Sequence, residues 1–296
     1  MERKLPKPSG ITIFGFMLPG ILINLFIIII PLILAINFSF YNWSGGITKE
    51  FIGLKNYINL LGDDKFWHSF KNNLVITGFS IIGQLGFAFV MAVILQAKWV
   101  KFKEFHRVVI FLPVVLPAVV VGFVWTLIYN KDYGLLNQFL SAAGLETWIR
   151  PWLDDPGIVL YSVTAPIVWQ FIGLYLIIFM SAIQNISTEI YEVAEIDGAT
   201  GLRKALYITL PMLSDTIKVA LMLCIAGNMK IFDNIFVMTG GGPGESSTVM
   251  AQYAYNVSFG QFKLGYGSAV SIGMIVISLI LILIVRRVMG GRSNEN

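Results

Sequence analysis

The chain has 296 residues, of which 56% are hydrophobic and only 13% are charged. Soluble domains carry about 25% charged residues, so this composition excludes an ordinary soluble protein. Five stretches without Asp, Glu, Lys or Arg are long enough for a membrane-spanning helix, which needs about 20 residues. They are residues 8–48, 72–97, 108–130, 156–188 and 264–285. We therefore predict an all-α, polytopic membrane protein.

The net charge of +4 is distributed unevenly along the chain. Basic residues cluster at both ends and in one short loop: Arg3, Lys4, Lys7, Lys98, Lys101, Lys103, Arg107, Arg286, Arg287 and Arg292. The longer loop 130–157 carries only Lys131 and Arg150. Because Lys and Arg are enriched in cytoplasmic loops, both termini are predicted to be cytoplasmic and the number of spans to be even. The orientation of the chain in the membrane accounts for the basic residues, so no nucleic-acid partner is expected.

In chain order, the first predicted span covers residues 11 to about 40 and bends at Pro31. Its apolar stretch is too long for a cleaved signal peptide, so it is predicted to stay as an anchor. The polar segment 44–70 then forms a small external cap. The next spans are predicted at about 70–96, 107–129 and 158–182, and the last at about 264–285.

A fifth span, the weakest by hydropathy, completes a predicted set of six transmembrane helices. Only eleven uncharged residues separate Lys218 from Lys230 in this segment. Polar residues that face lipid are costly, so the segment is predicted to line the interior or a transport pathway.

Between the fourth and fifth spans, residues 187–211 turn acidic without becoming a long loop. The four carboxylates there are Glu189, Glu192, Glu195 and Asp197. Ser187 is suited to cap a short helix, and Gly198 to a left-handed turn at its end. Thr200 then begins a second short helix, and Pro211 lies in the first turn of the next segment. Carboxylates beside an anionic leaflet indicate a protein partner.

The same stretch resembles the EAA loop of the membrane subunits of bacterial ABC importers. That motif reads Glu-Ala-Ala, three residues, Gly, nine residues, then Ile-x-Leu-Pro, and every spacing is kept here. The matching residues, with a valine in place of the first alanine, are Glu192, Val193, Ala194, Gly198, Ile208, Leu210 and Pro211. The resemblance implies that these residues form a cytoplasmic coupling helix that docks into an ATPase subunit. The alternative is a solvated acidic helix with an ordinary C-cap.

Further segments resemble the first membrane subunit of carbohydrate importers, in the maltose and glycerol-phosphate group. They are residues 42–43, 51–57, 111–113, 132–137, 232–233 and 238–243. The resemblance implies a type I ABC importer fold in the cytoplasmic membrane of a prokaryote. It implies three parts: an N-terminal anchor span and external cap (1–68), a type-1 transmembrane domain (69–287) and a cytoplasmic tail (288–296).

The resemblance also implies partners: a second, homologous permease subunit, two ATPase subunits and an extracytoplasmic solute-binding protein. ATP and Mg²⁺ would be bound by the ATPase partners, so no cofactor is expected on this chain. The implied substrate is a small-molecule carbohydrate moved by alternating access, with glycerol phosphate as an alternative. An ion-coupled secondary carrier is the alternative of another class, but such a carrier needs Asp, Glu or His within its spans.

The resemblance also implies a substrate pathway: when the chain is aligned without gaps through Trp169 and Pro211, the maltose-contacting positions of that family fall in the fourth and fifth spans. They are Ile167, Gln170, Phe171, Leu174, Cys224, Gly227, Asn228 and Ile231. Amide groups hydrogen-bond hydroxyls and aromatic faces pack on sugar rings, which suits Gln170, Phe171 and Asn228 to this role. The alternative is that Gln170 and Asn228 make hydrogen bonds between helices. The only histidines, His68 and His106, lie on opposite sides of the membrane in this topology, so neither catalysis nor a metal site is predicted.

Overall fold

A computed structural model describes residues 9–97 and 99–290, which are helical apart from one short hairpin and connecting turns. The elements in chain order are α1 (Gly10–Phe38), β1 (Tyr41–Asn42), β2 (Glu50–Phe51), α2 (Lys55–Leu61), α3 (Asp64–Gln96), α4 (Lys103–Val115), α5 (Ala118–Ile128), α6 (Leu135–Ala142), α7 (Val159–Gln184), α8 (Thr188–Ile196), α9 (Gly201–Met212), α10 (Ser214–Met229), α11 (Asp233–Met238), α12 (Met250–Tyr255) and α13 (Leu264–Gly290). The topology prediction also uses Arg3, Lys4, Lys7, Lys98 and Arg292, which lie outside the described residues, as do residues 291–296 of the predicted tail.

Four of the described helices are long and apolar enough to cross a membrane, namely α1, α3, α7 and α13. Two further pairs, α4 with α5 and α9 with α10, reach the required length only together, and they are bent by 99° and 76°. The described chain therefore has four candidate spans, or up to six if each bent pair is one span. The predicted first, fourth and sixth spans correspond to α1, α7 and α13.

The predicted third span, residues 107–129, is not one straight helix. Helix α4 ends at Val115 and α5 begins at Ala118, with a bend of 99° between them. The break lies at Leu116, whose backbone is extended with ψ of 137°. A residue that precedes proline is driven out of the helical region, and Pro117 has no N–H to continue the helical ladder.

The second span also begins earlier than predicted. The predicted cap extended to residue 70, but α3 begins at Asp64, so residues 64–70 form its first two turns. The Asp63 carboxylate caps this helix by accepting hydrogen bonds from the N–H groups of Lys65 and Phe66, at 3.0 and 3.3 Å. Hydropathy missed this start because the first turns of α3 are polar.

The described residues divide into two compact units, one formed by residues 9–62 and 254–273 and the other by residues 63–253 and 274–290. In the first unit, β1 and β2 pair antiparallel with Tyr41 opposite Phe51. The buried Asn56 amide holds the hairpin by donating to the carbonyls of Ser39 and Tyr41, at 2.8 and 3.0 Å. The predicted boundary between residues 68 and 69 stays a prediction.

In the second unit, α7 lies at the centre of the packing. Its Leu176 and Phe179 are buried in one cluster with Leu85 and Ala88 of α3 and Cys224 of α10. On another side, α7 crosses α4 at Gly173. A Cβ atom at this position would lie 2.4 Å from the Ile110 carbonyl oxygen and 2.6 Å from Phe111 Cα. The two backbones approach so closely that only glycine fits.

We expect Gly173→Ala to separate α7 from α4, because both atoms that the new methyl group would meet belong to the backbone. Overpacking of this kind costs about 1–3 kcal/mol. The unfolding temperature of the purified protein in detergent should therefore fall. Gly78→Ala is the matched control, since a Cβ on that helical glycine meets nothing within 4 Å. Equal unfolding temperatures for the two variants would contradict this packing.

Candidate functional site

Helix α8 contains the acidic stretch and begins as predicted. The Ser187 hydroxyl accepts a hydrogen bond from the Glu189 N–H at 3.3 Å, which satisfies one of the free amides of the first turn. Glu189 also lies at the positive end of the helix dipole. The side chains of Glu189 and Glu192 are exposed.

The end of α8 also follows the prediction. Gly198 has φ of +80°, a left-handed conformation that favours glycine. The Gly198 N–H bonds to the Glu195 carbonyl at 3.1 Å, and the Ala199 N–H bonds to the Ala194 carbonyl at 2.8 Å. These bonds satisfy two of the last carbonyls of the helix and turn the chain sharply towards α9.

Side-chain contacts attach α8 to α9. Lys204 Nζ lies 2.7 Å from Glu195 Oε1 and 5.3 Å from the centre of the Tyr191 ring. The Tyr191 hydroxyl lies 3.3 Å from the Thr209 hydroxyl. Of the four carboxylates from which a protein partner was predicted, Glu195 is therefore paired with α9.

The opposite face of α8 is open. Ala194 is only 5% exposed, whereas Val193 and Ile196 are 58% and 85% exposed. Glu192 lies next to this apolar surface in the sequence and is exposed as well. Of the predicted coupling residues in α8, Ala194 is thus a buried contact, and Glu192 and Val193 lie on an outward face that Ile196 extends.

The rest of the predicted coupling set lies in α9. A π-helical turn, Ala205–Thr209, contains Ile208 and leads directly into Leu210 and Pro211. The Leu210 N–H bonds to the Ala205 carbonyl. This shift in hydrogen-bond register accommodates the missing N–H of Pro211 within one helix.

Gln170, the first residue of the predicted pathway, is only 2% exposed. Its Nε2 donates to the Leu116 carbonyl at 3.0 Å, and its Oε1 accepts from Asn234 at 3.4 Å. The Leu116 carbonyl lost its helical partner at the break before Pro117, because the Val120 N–H bonds instead to Pro117. Gln170 therefore replaces a missing backbone donor between α4 and α5.

Asn228 and Cys224 are also buried, with 4% and 1% of their surface exposed. The Asn228 amide donates to the Cys224 carbonyl at 2.8 Å, and its oxygen accepts from the Ser80 hydroxyl at 3.1 Å. The Cys224 thiol lies 3.5 Å from Gln84 Oε1. The two residues are thus brought together, but in the contact between α10 and α3.

Three residues in this contact were missed from the sequence: Asn73, Ser80 and Gln84. Gln84 donates to the Ile167 carbonyl at 3.2 Å, and Asn73 donates to the Asn228 carbonyl at 2.8 Å. Their spacing, seven and then four positions apart, puts three polar side chains on one face of α3. That pattern was the available signal for polar contacts between helices.

The remaining pathway residues are less enclosed. Phe171, Leu174 and Ile231 are half-buried and Gly227 is exposed. A Cβ atom on Gly227 would meet nothing within 4 Å. Phe171 and Ile231 pack against the cluster that contains Ile167. The predicted set is therefore split between four buried residues, Ile167, Gln170, Cys224 and Asn228, and four apolar residues that are more accessible.

Comparisons with known proteins agree with this architecture. A profile of the family described as binding-protein-dependent transport system inner membrane component matches residues 84–290. The chain is 35% identical over 268 residues to the probable ABC transporter permease protein YurN of Bacillus subtilis, covering 90% of this chain and 91% of that protein. It is 29% identical to the diacetylchitobiose uptake system permease protein NgcF of Streptomyces coelicolor, over 100% of this chain and 88% of that one.

One solved structure with the same fold is a bacterial alginate ABC transporter in complex with an alginate pentasaccharide-bound periplasmic protein. A chain of that complex matches with a TM-score of 0.80 and 22% identity, covering 93% of both chains. The predicted type I importer fold is confirmed by this likeness.

We expect Gln170→Leu to lower the unfolding temperature in detergent, because it leaves the Leu116 carbonyl buried without a donor. A buried unsatisfied group costs about 1–3 kcal/mol. Gln184→Leu, at the exposed end of α7, is the control and should behave like the wild type. If Gln170 served only to contact a solute, its replacement would reduce uptake and leave the unfolding temperature unchanged.

Proposed function

We propose, from the premise that this chain belongs to the family of binding-protein-dependent transport system inner membrane components, that it is the permease subunit of an ATP-driven carbohydrate importer. A relative that covers the whole chain is named for uptake of diacetylchitobiose. The solved relative is a transporter of alginate, also a carbohydrate. An oligosaccharide or sugar is therefore the substrate class.

In the proposed topology the chain crosses the cytoplasmic membrane of a prokaryote six times, with α4–α5 and α9–α10 each forming one bent span. Both termini and α8 then lie on the cytoplasmic side. This arrangement is supported by Lys101, Lys103 and Arg107 near the start of α4 and by Arg286 and Arg287 near the end of α13.

The energy for transport is supplied by a separate ATPase subunit, which docks on the open face of α8. Two observations support this step. Glu195 and Tyr191 attach one face of α8 to α9. On the opposite face, Glu192, Val193 and Ile196 are exposed. An exposed apolar patch rimmed by carboxylates is suited to an ATPase partner. ATP and Mg²⁺ bind to that partner, and this chain has no catalytic role.

The complete importer contains a second, homologous permease subunit, two ATPase subunits and an extracytoplasmic solute-binding protein. The solved relative, captured with its sugar-loaded periplasmic protein, supports the last of these partners. ATP-driven closure of the ATPase pair pushes α8, and the membrane helices alternate between inward and outward access. The solute passes along the surface that includes Phe171, Gly227 and Ile231, with Gln170 and Asn228 behind it.

The alternatives are disfavoured by separate observations. Glycerol phosphate needs cationic groups along its path, and the described pathway residues are neutral. An ion-coupled carrier is disfavoured because it would place Asp, Glu or His along its pathway, and the predicted pathway residues include none of these.

The assembly is tested by affinity purification of the full chain in mild detergent, followed by identification of the copurifying proteins and an ATPase assay. A second permease and an ATPase are expected. Recovery of the chain as a homo-oligomer without ATPase activity would contradict the importer assignment.

We expect Glu192→Ala to lower solute-stimulated ATP hydrolysis by about tenfold, within the range of coupling free energies between sites of about 1–3 kcal/mol. Glu192 makes no ion pair in the described structure, so its loss should leave membrane insertion and unfolding temperature unchanged. Glu146→Ala, an exposed acid in the external loop, is the control. Wild-type stimulation in Glu192→Ala would overturn the assignment of α8.

A further inference from the structure

A cleft of about 290 Å³ opens between the first turns of α10 and the last turns of α13. Its walls carry charged groups from both helices: Asp215 and Lys218 from α10 and Arg286 from α13. The rest of the lining consists of the apolar residues Val219, Met222 and Val285 and of Gly290. None of these residues belongs to the coupling set or to the solute pathway.

The charge of the cleft is positive. Lys218 Nζ lies 2.9 Å from Asp215 Oδ1, so this pair is close to neutral. The Asp215 side chain is 84% exposed, whereas the Lys218 side chain is only 16% exposed. Arg286 adds a further positive charge from the facing helix, and Arg287 follows it. The cleft therefore attracts an anion.

The polar and apolar groups are also arranged in depth. Along α10 the charged residues Asp215 and Lys218 come first, and Val219 and Met222 follow, within one more turn. A ligand seated here meets cations at the helix end and hydrocarbon further in. A phospholipid has this same order, with a phosphate at the surface and an acyl chain below it.

We propose that this cleft binds the headgroup of an anionic phospholipid, with the first part of an acyl chain against Val219, Met222 and Val285. The proposal rests on the proposed topology, which puts this end of α10 and α13 at the cytoplasmic leaflet. That leaflet is the anionic one, and basic pockets between helices on this side bind acidic headgroups. A free phosphate would gain nothing from the apolar wall, which favours the lipid over the soluble anion.

The experiment is a lipid titration of the full chain, purified with its copurifying partners and stripped of lipid in detergent. Native mass spectrometry follows the binding of phosphatidylglycerol, of zwitterionic phosphatidylcholine and of inorganic phosphate. We expect phosphatidylglycerol to bind in preference to phosphatidylcholine, and inorganic phosphate not to displace it. Arg286→Ala should weaken this binding by about fivefold, the effect of about 1 kcal/mol per basic residue at an anionic surface.

Arg287→Ala is the matched control, because it removes the same charge at the same depth from a residue that does not line the cleft. It should stay within about twofold of the wild type, and Arg286→Lys should keep most of the binding because it keeps the charge. If Arg286→Ala and Arg287→Ala weakened phosphatidylglycerol binding equally, the lipid would be attracted by the general positive charge of this helix end, and the proposed site would be overturned. Displacement by inorganic phosphate, equal binding of the two lipids, or loss of a partner protein in Arg286→Ala would overturn the lipid assignment. Because the assay measures no transport, its outcome is independent of the coupling test at Glu192.

Discussion

A helix that breaks inside a membrane leaves backbone groups that cannot bond to water, and the second compact unit depends on how these groups are satisfied. At the break before Pro117, the buried Gln170 amide takes up the free Leu116 carbonyl at 3.0 Å. At the end of α10, the Asn73 amide donates to the Asn228 carbonyl at 2.8 Å, and its oxygen accepts from the Met250 N–H at 2.8 Å. One side chain thus satisfies the last turn of one helix and the first turn of another. The bent helices are held in place by amides from their neighbours.

This use of amides has a consequence for the proposed solute pathway. Gln170 and Asn228 already bond to protein groups, so a sugar hydroxyl would have to replace those bonds, and each exchange changes the free energy by only about 0.5–1.5 kcal/mol. The more accessible residues of the predicted set, Phe171, Gly227 and Ile231, offer ring-packing area and little polarity. A surface of this kind would hold a sugar weakly, which suits a subunit that receives its solute from a binding protein and must release it. Specificity would then belong mainly to the binding protein.

The sequence predicted well what depends on local residues. Ser187 and Gly198 define both ends of α8 because capping and left-handed turns need only their own neighbours. The 99° break at Leu116 was missed because proline within a hydrophobic run can kink a helix or end it, and the choice depends on whether a donor such as Gln170 is available from another helix. The amides of α3 were missed for the same reason, since their partners lie more than 80 residues away in the chain. The need for glycine at position 173 was missed as well, because it depends on the close approach of the α4 backbone.

The same contacts give a physical route from the proposed ATPase surface into the membrane. An exposed ion pair such as Glu195 with Lys204 contributes only about 0–1 kcal/mol, so it cannot hold α8 by itself. The attachment is completed by burial of Ala194 and Ala205 and by the contact of Tyr191 with Thr209. From α9 the chain continues through a 76° bend into α10, and α10 is fastened to α3 through the amides at its far end. The bend lies at Leu213, where the backbone leaves the helical region with ψ of 7°. The Leu213 side chain is only 1% exposed and belongs to the buried cluster that contains Leu85 of α3 and Leu176 of α7. A push on α8 should therefore be passed through α9 to this buried cluster, and so to the packing of α10 on α3 and α7.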